Sequence, residues 1–351
     1  MPMTRRELLW AVLGTAALGR WGLSSAEAPA NAAADAAQLL DPQLREIWAQ
    51  LRQKYGSTDI TARTLAQARS RSWASARLAA PAVEELRIAG RHGAPDVRCY
   101  VINAAAGASR AAILHLHGGG FVTGTASDSV PLLQRLALEL GCVIVTVDYR
   151  LAPETPFPGS LEDNYAALLW LQQSARRLGA DVRRIAVLGE SAGGGHAAML
   201  ALAARDRGEV SIAMQVLIYP MLDDRTGSAR SLLAHQRLYT WTAASNRFGW
   251  TSLLGVPAGS GHTPAGAVPA RAVSLAGLPR TFIGAGAIDL FADEDLDYAR
   301  RLVAAGVPTE CVLVPGAFHG FDLIAPEADC SVRFRAAWSG ALARGLAPRV
   351  G

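Results

Sequence analysis

RIAVLGESAGGGH, at residues 184–196, is an apolar run that ends in a single serine among glycines. The pattern predicts a buried strand, a sharp turn and the start of a helix. A strand that passes at once into a helix forces Ser191 into a strained backbone conformation, which Gly189 and Gly193 make sterically possible. The hydroxyl would then lie at a helix N-terminus, where backbone N–H groups stabilise negative charge. Ser191 is therefore a candidate nucleophile, but a chain with 34 glycines needs partners elsewhere to support that assignment.

A hydroxyl nucleophile requires a base that takes its proton, and histidine is the usual choice. Among seven histidines, His319 fits best because a short loop separates it from the strand-like run 312–314. In open α/β sheets, reactive groups gather at the carboxyl ends of the strands. His196 lies one helical turn beyond the serine and is expected to face away from it, while His235 and His262 fall in a predicted lid.

The base in turn requires an acid that orients it. Asp289 is the first charged residue after the near-apolar run 281–288, so it is predicted to lie at a strand end. Asp293, Glu294 and Asp295 are less favoured, because they begin a helix and have a sufficient role in complementing its N-terminal dipole.

A glycine loop follows another predicted strand and suits the oxyanion of acyl transfer. HGGGF at residues 117–121 lets the backbone approach a ligand without side-chain obstruction. We expect the N–H groups of Gly119, Gly120 and Ala192 to be the donors, with Gly118 a further candidate. Such a loop also occurs as a plain turn or as a phosphate cradle, but this one lacks the Gly-Lys-Ser/Thr ending of nucleotide-binding loops.

Strand-like apolar runs alternate with helical patterns along most of the chain. This alternation predicts an α/β fold with a largely parallel sheet that is covered on both faces. The predicted strands are 85–88, 97–102, 111–116, 142–147, the run before Ser191, 215–219, 281–288 and 310–314, and the predicted helices include 131–140, 161–178 and 293–305.

Two further segments are predicted to cover the strand ends as a helical cap. Residues 31–80 contain an apolar helical face, made by Leu44, Ile47, Trp48 and Leu51, and a second helical pattern near 60–78. Residues 221–280 are rich in aromatics and Gly/Pro clusters but have no convincing strand, which favours an insertion whose aromatics pack within a lid. The catalytic domain is accordingly assigned to residues 81–351, with this insertion inside it.

The N-terminus is similar to a twin-arginine export signal. Arg5 and Arg6 precede a short apolar run, and small residues near Ala28 offer cleavage sites. The alternative is a membrane anchor, but the run ends by Arg20 and is shorter than the roughly 20 residues that a spanning helix needs. We expect residues 1–30 to be removed and the protein to be periplasmic or secreted, without a stable membrane span.

Composition excludes several classes of protein. The chain has 351 residues, half of them hydrophobic, and is therefore long enough to bury a large core. A formal charge of +4 spread over scattered basic residues indicates no nucleic-acid groove and no membrane-binding patch. The four cysteines lack metal-ligand spacing and are expected to be unpaired, although an exported protein could oxidise one pair. They are Cys99, Cys142, Cys311 and Cys330.

Taken together, residues 40–345 resemble the hormone-sensitive-lipase-like branch of the α/β-hydrolases, the bacterial family IV esterases. The motifs that carry this resemblance are HGGGF (117–121), YRLAPE (149–154) and GESAGG (189–194), with Asp289 and His319 in the family order after the serine. The resemblance implies a helical cap, an eight-stranded mostly parallel sheet and cofactor-free hydrolysis of carboxylic esters, often with short acyl chains. Two positions depart from the family pattern: Glu190 stands where Asp is usual, and Leu290 where Pro is usual.

The sequence therefore predicts a serine carboxylic ester hydrolase for short-to-medium acyl esters. Ser191, Asp289 and His319 would form the triad, and a small-molecule ester would be the partner, with no cofactor, metal or nucleic acid. The alternative enzymes are an amidase or a long-chain lipase that uses the same catalytic residues. The alternative outside enzymes is a non-catalytic binding protein with this fold. No oligomeric state follows from the sequence.

Overall fold

The computed structural model describes residues 37–55, 59–70, 76–237 and 240–348. The predicted export signal at residues 1–30 lies outside this part of the chain, as does the start of the predicted cap. None of the described helices combines the length and the apolar character needed to cross a bilayer.

Eight strands form one sheet in the order β1-β2-β4-β3-β5-β6-β7-β8. β1 pairs antiparallel with β2, and β2 with β4, whereas the other five neighbouring pairs are parallel. The predicted eight-stranded, mostly parallel α/β-hydrolase sheet is thus confirmed. The strands are β1 Val83–Ile88, β2 Val97–Ile102, β3 Arg110–Leu116, β4 Val143–Asp148, β5 Ala180–Glu190, β6 Met214–Ile218, β7 Arg280–Gly286 and β8 Thr309–Val314.

Helices cover both faces of the sheet, which explains why the strands are apolar without alternation. In β4, Val143, Val145 and Val147 point into one buried cluster, with α4, α6 and α8. Ile144 points into the other, with α1, α3 and α10. The helices are α1 Pro42–Tyr55, α2 Leu65–Arg69, α3 Ala126–Leu140, α4 Gly159–Gln173, α5 Ala175–Leu178, α6 Ala192–Arg207, α7 Ala243–Leu254, α8 Ala292–Ala304, α9 Phe321–Ile324 and α10 Asp329–Gly345.

Two predicted helices differ from the observed ones. The helix predicted over 161–178 is interrupted at Ser174, which separates α4 from α5. The helix predicted to begin at Pro131 instead begins at Ala126, whose N–H donates to the carboxylate of Asp148 at 2.9 Å. A side chain from a neighbouring strand end therefore sets this helix start, and proline lies inside it.

The segments predicted as a cap contact one another beside the glycine loop. The Ile60 N–H donates to Ser245 Oγ at 2.9 Å, and the Thr242 hydroxyl donates to Asp59 at 2.6 Å. These contacts join the segment 59–70 to α7, the main helix of the predicted insertion. The division of the chain into signal, cap and catalytic domain stays a prediction, which these contacts support.

Candidate active site

Ser191 occupies the sharp turn between β5 and α6. Its backbone has φ 56° and ψ −121°, a conformation that costs an L-residue roughly 1–3 kcal/mol. Hydrogen bonds hold it there: the Ser191 N–H donates to the Ile218 carbonyl at 2.9 Å, and the Ser191 carbonyl accepts from Gly195 and Met221 at 3.0 Å each. The turn is thus fixed by the neighbouring strand and its following loop.

The glycines around the serine are needed for close backbone approach. A β-carbon at Gly189 would overlap with the Gly193 carbonyl, and one at Gly193 would overlap with the Leu116 carbonyl at the end of β3. A β-carbon at Gly195 would meet the Met221 carbonyl. Side chains at these positions would therefore push the serine away from the strand ends.

Ser191, His319 and Asp289 form an unbroken line of polar contacts. His319 Nε2 lies 2.8 Å from Ser191 Oγ, and His319 Nδ1 lies 2.8 Å from Asp289 Oδ2. The second carboxylate oxygen, Oδ1, accepts the Phe291 N–H at 3.0 Å. All three side chains are at least nine-tenths buried, so these hydrogen bonds are shielded from bulk water.

Aromatic edges restrict the histidine ring. Tyr219 and Phe291 approach the His319 ring edge-on, with ring centroids at 4.9 and 5.1 Å. The Tyr219 hydroxyl donates to the buried carboxyl of Asp322 at 2.8 Å. Burial raises the pKa of Asp322 to about 6. The imidazole therefore has little freedom to rotate away from the serine.

The other acids near Asp289 have different environments. Glu294 is buried and accepts hydrogen bonds from the N–H groups of Leu222 and Asp223, so it stabilises the chain after β6 in addition to facing the start of α8. Both carboxyl oxygens of Asp295 are buried without a hydrogen-bond partner in the described part of the chain. Burial raises the pKa values of Glu294 and Asp295 well above the usual carboxyl range.

The remaining buried histidines do not contact Ser191. His196 lies edge-on to the rings of Phe121 and Tyr149, and burial lowers its pKa to about 3. His115 contacts Thr146 Oγ1 at 2.8 Å and Glu190 at 3.0 Å. Sequence reasoning missed this pairing with Glu190, the residue that departs from the family pattern.

Each glycine of the loop 118–120 has its own structural requirement. A β-carbon on Gly118 would lie 3.0 Å from the Glu190 carbonyl, whereas one on Gly119 or Gly120 would overlap with Thr123 or Trp241. Gly119 and Gly120 also have positive φ, at 122° and 61°. In the described part of the chain, their N–H groups donate to no acceptor.

The opposite side of the site is the start of α6. Ala192 is the first residue of that helix, so its N–H has no partner within the helix. The predicted oxyanion donors therefore flank the serine from two elements, the glycine loop and α6.

The loop 149–154, which holds the YRLAPE motif, contacts the glycine loop directly. The Tyr149 hydroxyl donates to the His117 carbonyl at 2.6 Å, and its ring stacks on the His117 ring at 4.2 Å. The Ala152 N–H donates to the Phe121 carbonyl at 3.0 Å. This side of the glycine loop is thus anchored at both ends.

Aromatics of the predicted insertion show two kinds of environment. Trp250 is fully buried and packs edge-on to Phe121 of the HGGGF loop, so it joins the insertion to the catalytic domain. Trp241 is half-buried and lies over Gly120. The prediction of packing alone is therefore incomplete for Trp241, which borders the glycine loop.

Among the described residues, no group of His, Cys, Asp and Glu side chains has the arrangement of a metal site. The four cysteines are free thiols in the structure. Burial raises the pKa values of Cys99 and Cys142 to about 12, which keeps both in the unreactive thiol form at neutral pH.

Comparisons with known proteins identify the fold family and its named relatives. A family model described as alpha/beta hydrolase fold matches residues 113–323. The esterase LipI of Mycobacterium tuberculosis is 37% identical over 213 residues, which are 60% of this chain and 65% of that protein. This chain therefore covers just under two thirds of that relative.

Two further proteins extend the comparison. Hormone-sensitive lipase of Bos taurus is 46% identical over 86 residues, which are 24% of this chain and 11% of the lipase. The solved structure of a bacterial heroin esterase matches with a TM-score of 0.76 and 35% identity, over 89% of this chain and 99% of that one. The chain belongs to the α/β-hydrolase fold family, in its hormone-sensitive-lipase-like branch.

Proposed function

We propose that this chain is a serine carboxylic ester hydrolase that acts on short-to-medium acyl esters through an acyl-enzyme. The observation that carries the proposal is the line of 2.8 Å contacts from Ser191 Oγ through His319 to Asp289. Nucleophile, base and orienting acid are the three parts that acyl transfer from a hydroxyl requires. The named esterase relatives support the same class of reaction.

The first half-reaction forms the acyl-enzyme. With its Nδ1–H donating a hydrogen bond to Asp289, which stays ionised, His319 accepts the proton of Ser191 on Nε2 as Oγ attacks the ester carbonyl carbon. The carbonyl oxygen becomes an oxyanion. When the tetrahedral intermediate collapses, the bond to the alcohol oxygen breaks and His319 Nε2 delivers its proton to that oxygen.

The second half-reaction reverses these roles with water. His319 Nε2 takes a proton from water as the water oxygen attacks the acyl carbon, and the second tetrahedral intermediate releases the carboxylic acid while Ser191 regains its proton. Asp289 stabilises the positively charged imidazole in both halves. The ester and one water thus give one alcohol and one acid.

The oxyanion is assigned to the N–H groups of Gly119, Gly120 and Ala192, with Gly118 a further candidate. These donors already have their positions before substrate binds, so little reorganisation is needed during the reaction. Removing one such donor costs roughly 3–4 kcal/mol of transition-state stabilisation in enzymes of this kind.

Limited space beside the glycine loop supports the assignment to short-to-medium acyl chains. The six-membered ring of Trp241 lies over Gly120, and α7 approaches so closely at Gly249 that a β-carbon there would overlap with the Gly120 carbonyl. Trp241 and α7 therefore restrict the space next to the position proposed for the substrate carbonyl, and this favours a small acyl group.

The test is a series of p-nitrophenyl esters from acetate to palmitate, compared with an anilide of the preferred acid. We expect turnover of the short esters, labelling of the Ser191 peptide by a fluorophosphonate, and loss of both in Ser191→Ala. Ser274→Ala, in the loop that contacts Arg205 at the far end of α6, is the matched control. Turnover of the short esters at the parent rate by Ser191→Ala would refute the assignment, and a preference for palmitate or the anilide would refute the substrate class.

We further propose export through a twin-arginine signal at residues 1–30. The proposal rests on Arg5 and Arg6 ahead of a short apolar run. Expression with Arg5→Lys and Arg6→Lys together should retain the precursor in the cytoplasm, whereas the parent should yield a shortened form outside it. N-terminal sequencing of a mature protein that still began at Met1 would refute cleavage.

A further inference from the structure

Arg69, the last residue of α2, reaches from the N-terminal segment to the glycine loop. Its Nε donates to the Val122 carbonyl at 2.8 Å, two residues beyond Gly120. Its Nη2 donates to the Ala152 carbonyl at 2.9 Å. The same guanidinium forms a two-oxygen ion pair with Glu154, both N···O distances being 2.7 Å. One side chain therefore joins α2, the glycine loop and the loop 149–154.

The contact with Val122 bears on the direction of a proposed oxyanion donor. The N–H groups of Val122 and Thr123 both donate to the Gly119 carbonyl, at 3.1 and 2.9 Å, and the Thr123 hydroxyl adds a third bond at 2.9 Å. That carbonyl and the Gly120 N–H belong to one planar trans peptide, so they point in opposite directions. Holding the Gly119 oxygen on one side therefore aims the Gly120 N–H to the other.

The loop needs such anchors because it has no side chains of its own at the critical positions. Gly118, Gly119 and Gly120 lack the steric restraints that would fix an ordinary backbone. Oxyanion stabilisation requires donors that are already in place, and a displacement of about 1 Å can cost about a hundredfold in rate. The stiffness must therefore come from outside the loop.

Of the bonds that Arg69 makes, those to the backbone carry the argument. The side chains of Arg69 and Glu154 are 30% and 61% exposed, and an ion pair in that setting contributes little because water screens it. The acceptor Val122 is fully buried, so its carbonyl has fewer alternatives in water. Loss of the Arg69 donors should therefore matter more than loss of the Glu154 charge.

We propose that Arg69 is a positioning residue for the ester hydrolysis assigned above: through Val122 it holds the glycine loop with the Gly120 N–H aimed at the oxyanion. The inference rests on the proposed function and deepens it, because it makes a residue of the N-terminal segment part of the unit that stabilises the transition state.

The test compares three single variants. Arg69→Met keeps the apolar stem and removes every donor, Glu154→Gln removes the charge but leaves the Arg69 bonds to the backbone, and Arg177→Met removes an exposed ion pair with Glu84 elsewhere. On p-nitrophenyl acetate we expect kcat of Arg69→Met to fall roughly tenfold to a hundredfold with KM within about twofold. The other two variants should stay within about threefold of the parent.

Two readouts separate positioning from a general loss of structure. The affinity for a trifluoromethyl ketone, which forms an oxyanion on Ser191, should fall in Arg69→Met by the same factor as kcat.

The second readout is chemical rescue, since Arg69 also lines an open cavity of about 440 Å³. Guanidinium chloride at millimolar concentration should therefore restore part of the activity of Arg69→Ala, and sodium chloride should not.

Several results would overturn the inference. One is a kcat of Arg69→Met equal to that of the parent. Another is a lower kcat with unchanged affinity for the ketone. A third is a lower kcat that returns to the parent value when the variant is cooled below its unfolding transition. The inference would also fail if guanidinium chloride restored no activity to Arg69→Ala while Arg69→Met bound the ketone as tightly as the parent. These results differ from failure of the proposed function, which would show as a parent protein that hydrolyses no ester; that result would remove the inference with it.

Discussion

Ser191→Gly and Ser191→Ala should both abolish activity, but the glycine variant should be the more stable of the two. Ser191 has φ 56° and ψ −121°, where a β-carbon is unfavourable and glycine is not. Alanine keeps the β-carbon, so Ser191→Ala keeps the strain. Both replacements lose the 2.8 Å hydrogen bond to His319, and this loss cancels when the two variants are compared with each other.

The expected difference follows from two opposing terms. Relief of the strain favours the glycine variant by roughly 1–3 kcal/mol. The greater freedom of glycine in the unfolded chain opposes it by about 0.5–1 kcal/mol. Ser191→Gly should therefore be more stable than Ser191→Ala by up to about 2.5 kcal/mol, with a Tm higher by up to roughly 4 °C.

Urea unfolding of both variants, followed by circular dichroism, measures this difference. Ser274, which has no positive φ, gives the matched control: there Ser274→Gly should be less stable than Ser274→Ala. Esterase activity should fall at least about a thousandfold in both Ser191 variants. A Ser191→Gly protein less stable than Ser191→Ala, as expected at Ser274, would show that the turn carries no strain, and the account of the nucleophile's backbone would be wrong.

Three further predictions concern the groups around the site. The pKa of His196 is about 3 in the fold against about 6.5 unfolded, so the unfolded chain binds more protons below that pH; in urea titrations, the stability of the parent relative to His196→Leu should drop by about 2 kcal/mol between pH 7 and pH 5. The pKa of Asp322 is about 6 against about 3.9 unfolded, so its contribution has the opposite sign; the stability of the parent relative to Asp322→Asn, which still accepts from Tyr219, should fall by up to about 3 kcal/mol as pH rises from 4 to 7. Gly120→Ala should lose at least tenfold in kcat because its methyl group overlaps with Trp241, and adding Trp241→Ala should restore part of the loss unless the positive φ of Gly120 is the larger obstacle.

Much of the fold could be predicted because the inner strands of the sheet are buried on both faces. The runs in β2 and β4 are apolar at most positions, and such runs are hard to confuse with solvent-exposed segments. Ser191, Asp289 and His319 could be proposed for a related reason. All three follow strand-like runs, and parallel strands bring their carboxyl ends to one edge of the sheet.

What the sequence could not supply are contacts between distant residues with no shared pattern. Arg69 reaches Val122 across 53 positions, and His115 reaches Glu190 across 75. An arginine at the end of a short helix looks like any exposed arginine, and a glutamate beside a serine gives no sign of its partner. Their roles depend on how loops are packed over the sheet, which local propensity does not encode.

Burial and contacts distinguish the acid that orients His319 from two neighbouring acids that lie close to it in the sequence. Asp289, Glu294 and Asp295 lie within seven residues of one another, and a sequence alone ranks them only by distance from the strand end. In the fold, Glu294 accepts hydrogen bonds from the chain after β6, and the carboxyl of Asp295 is enclosed with no hydrogen-bond partner among the described residues. Burial raises the pKa values of both well above the usual carboxyl range, because it disfavours their charged forms. A neutral carboxyl gives an imidazolium little stabilisation, so the contact of Asp289 with His319 Nδ1 is the one suited to orient and stabilise the base.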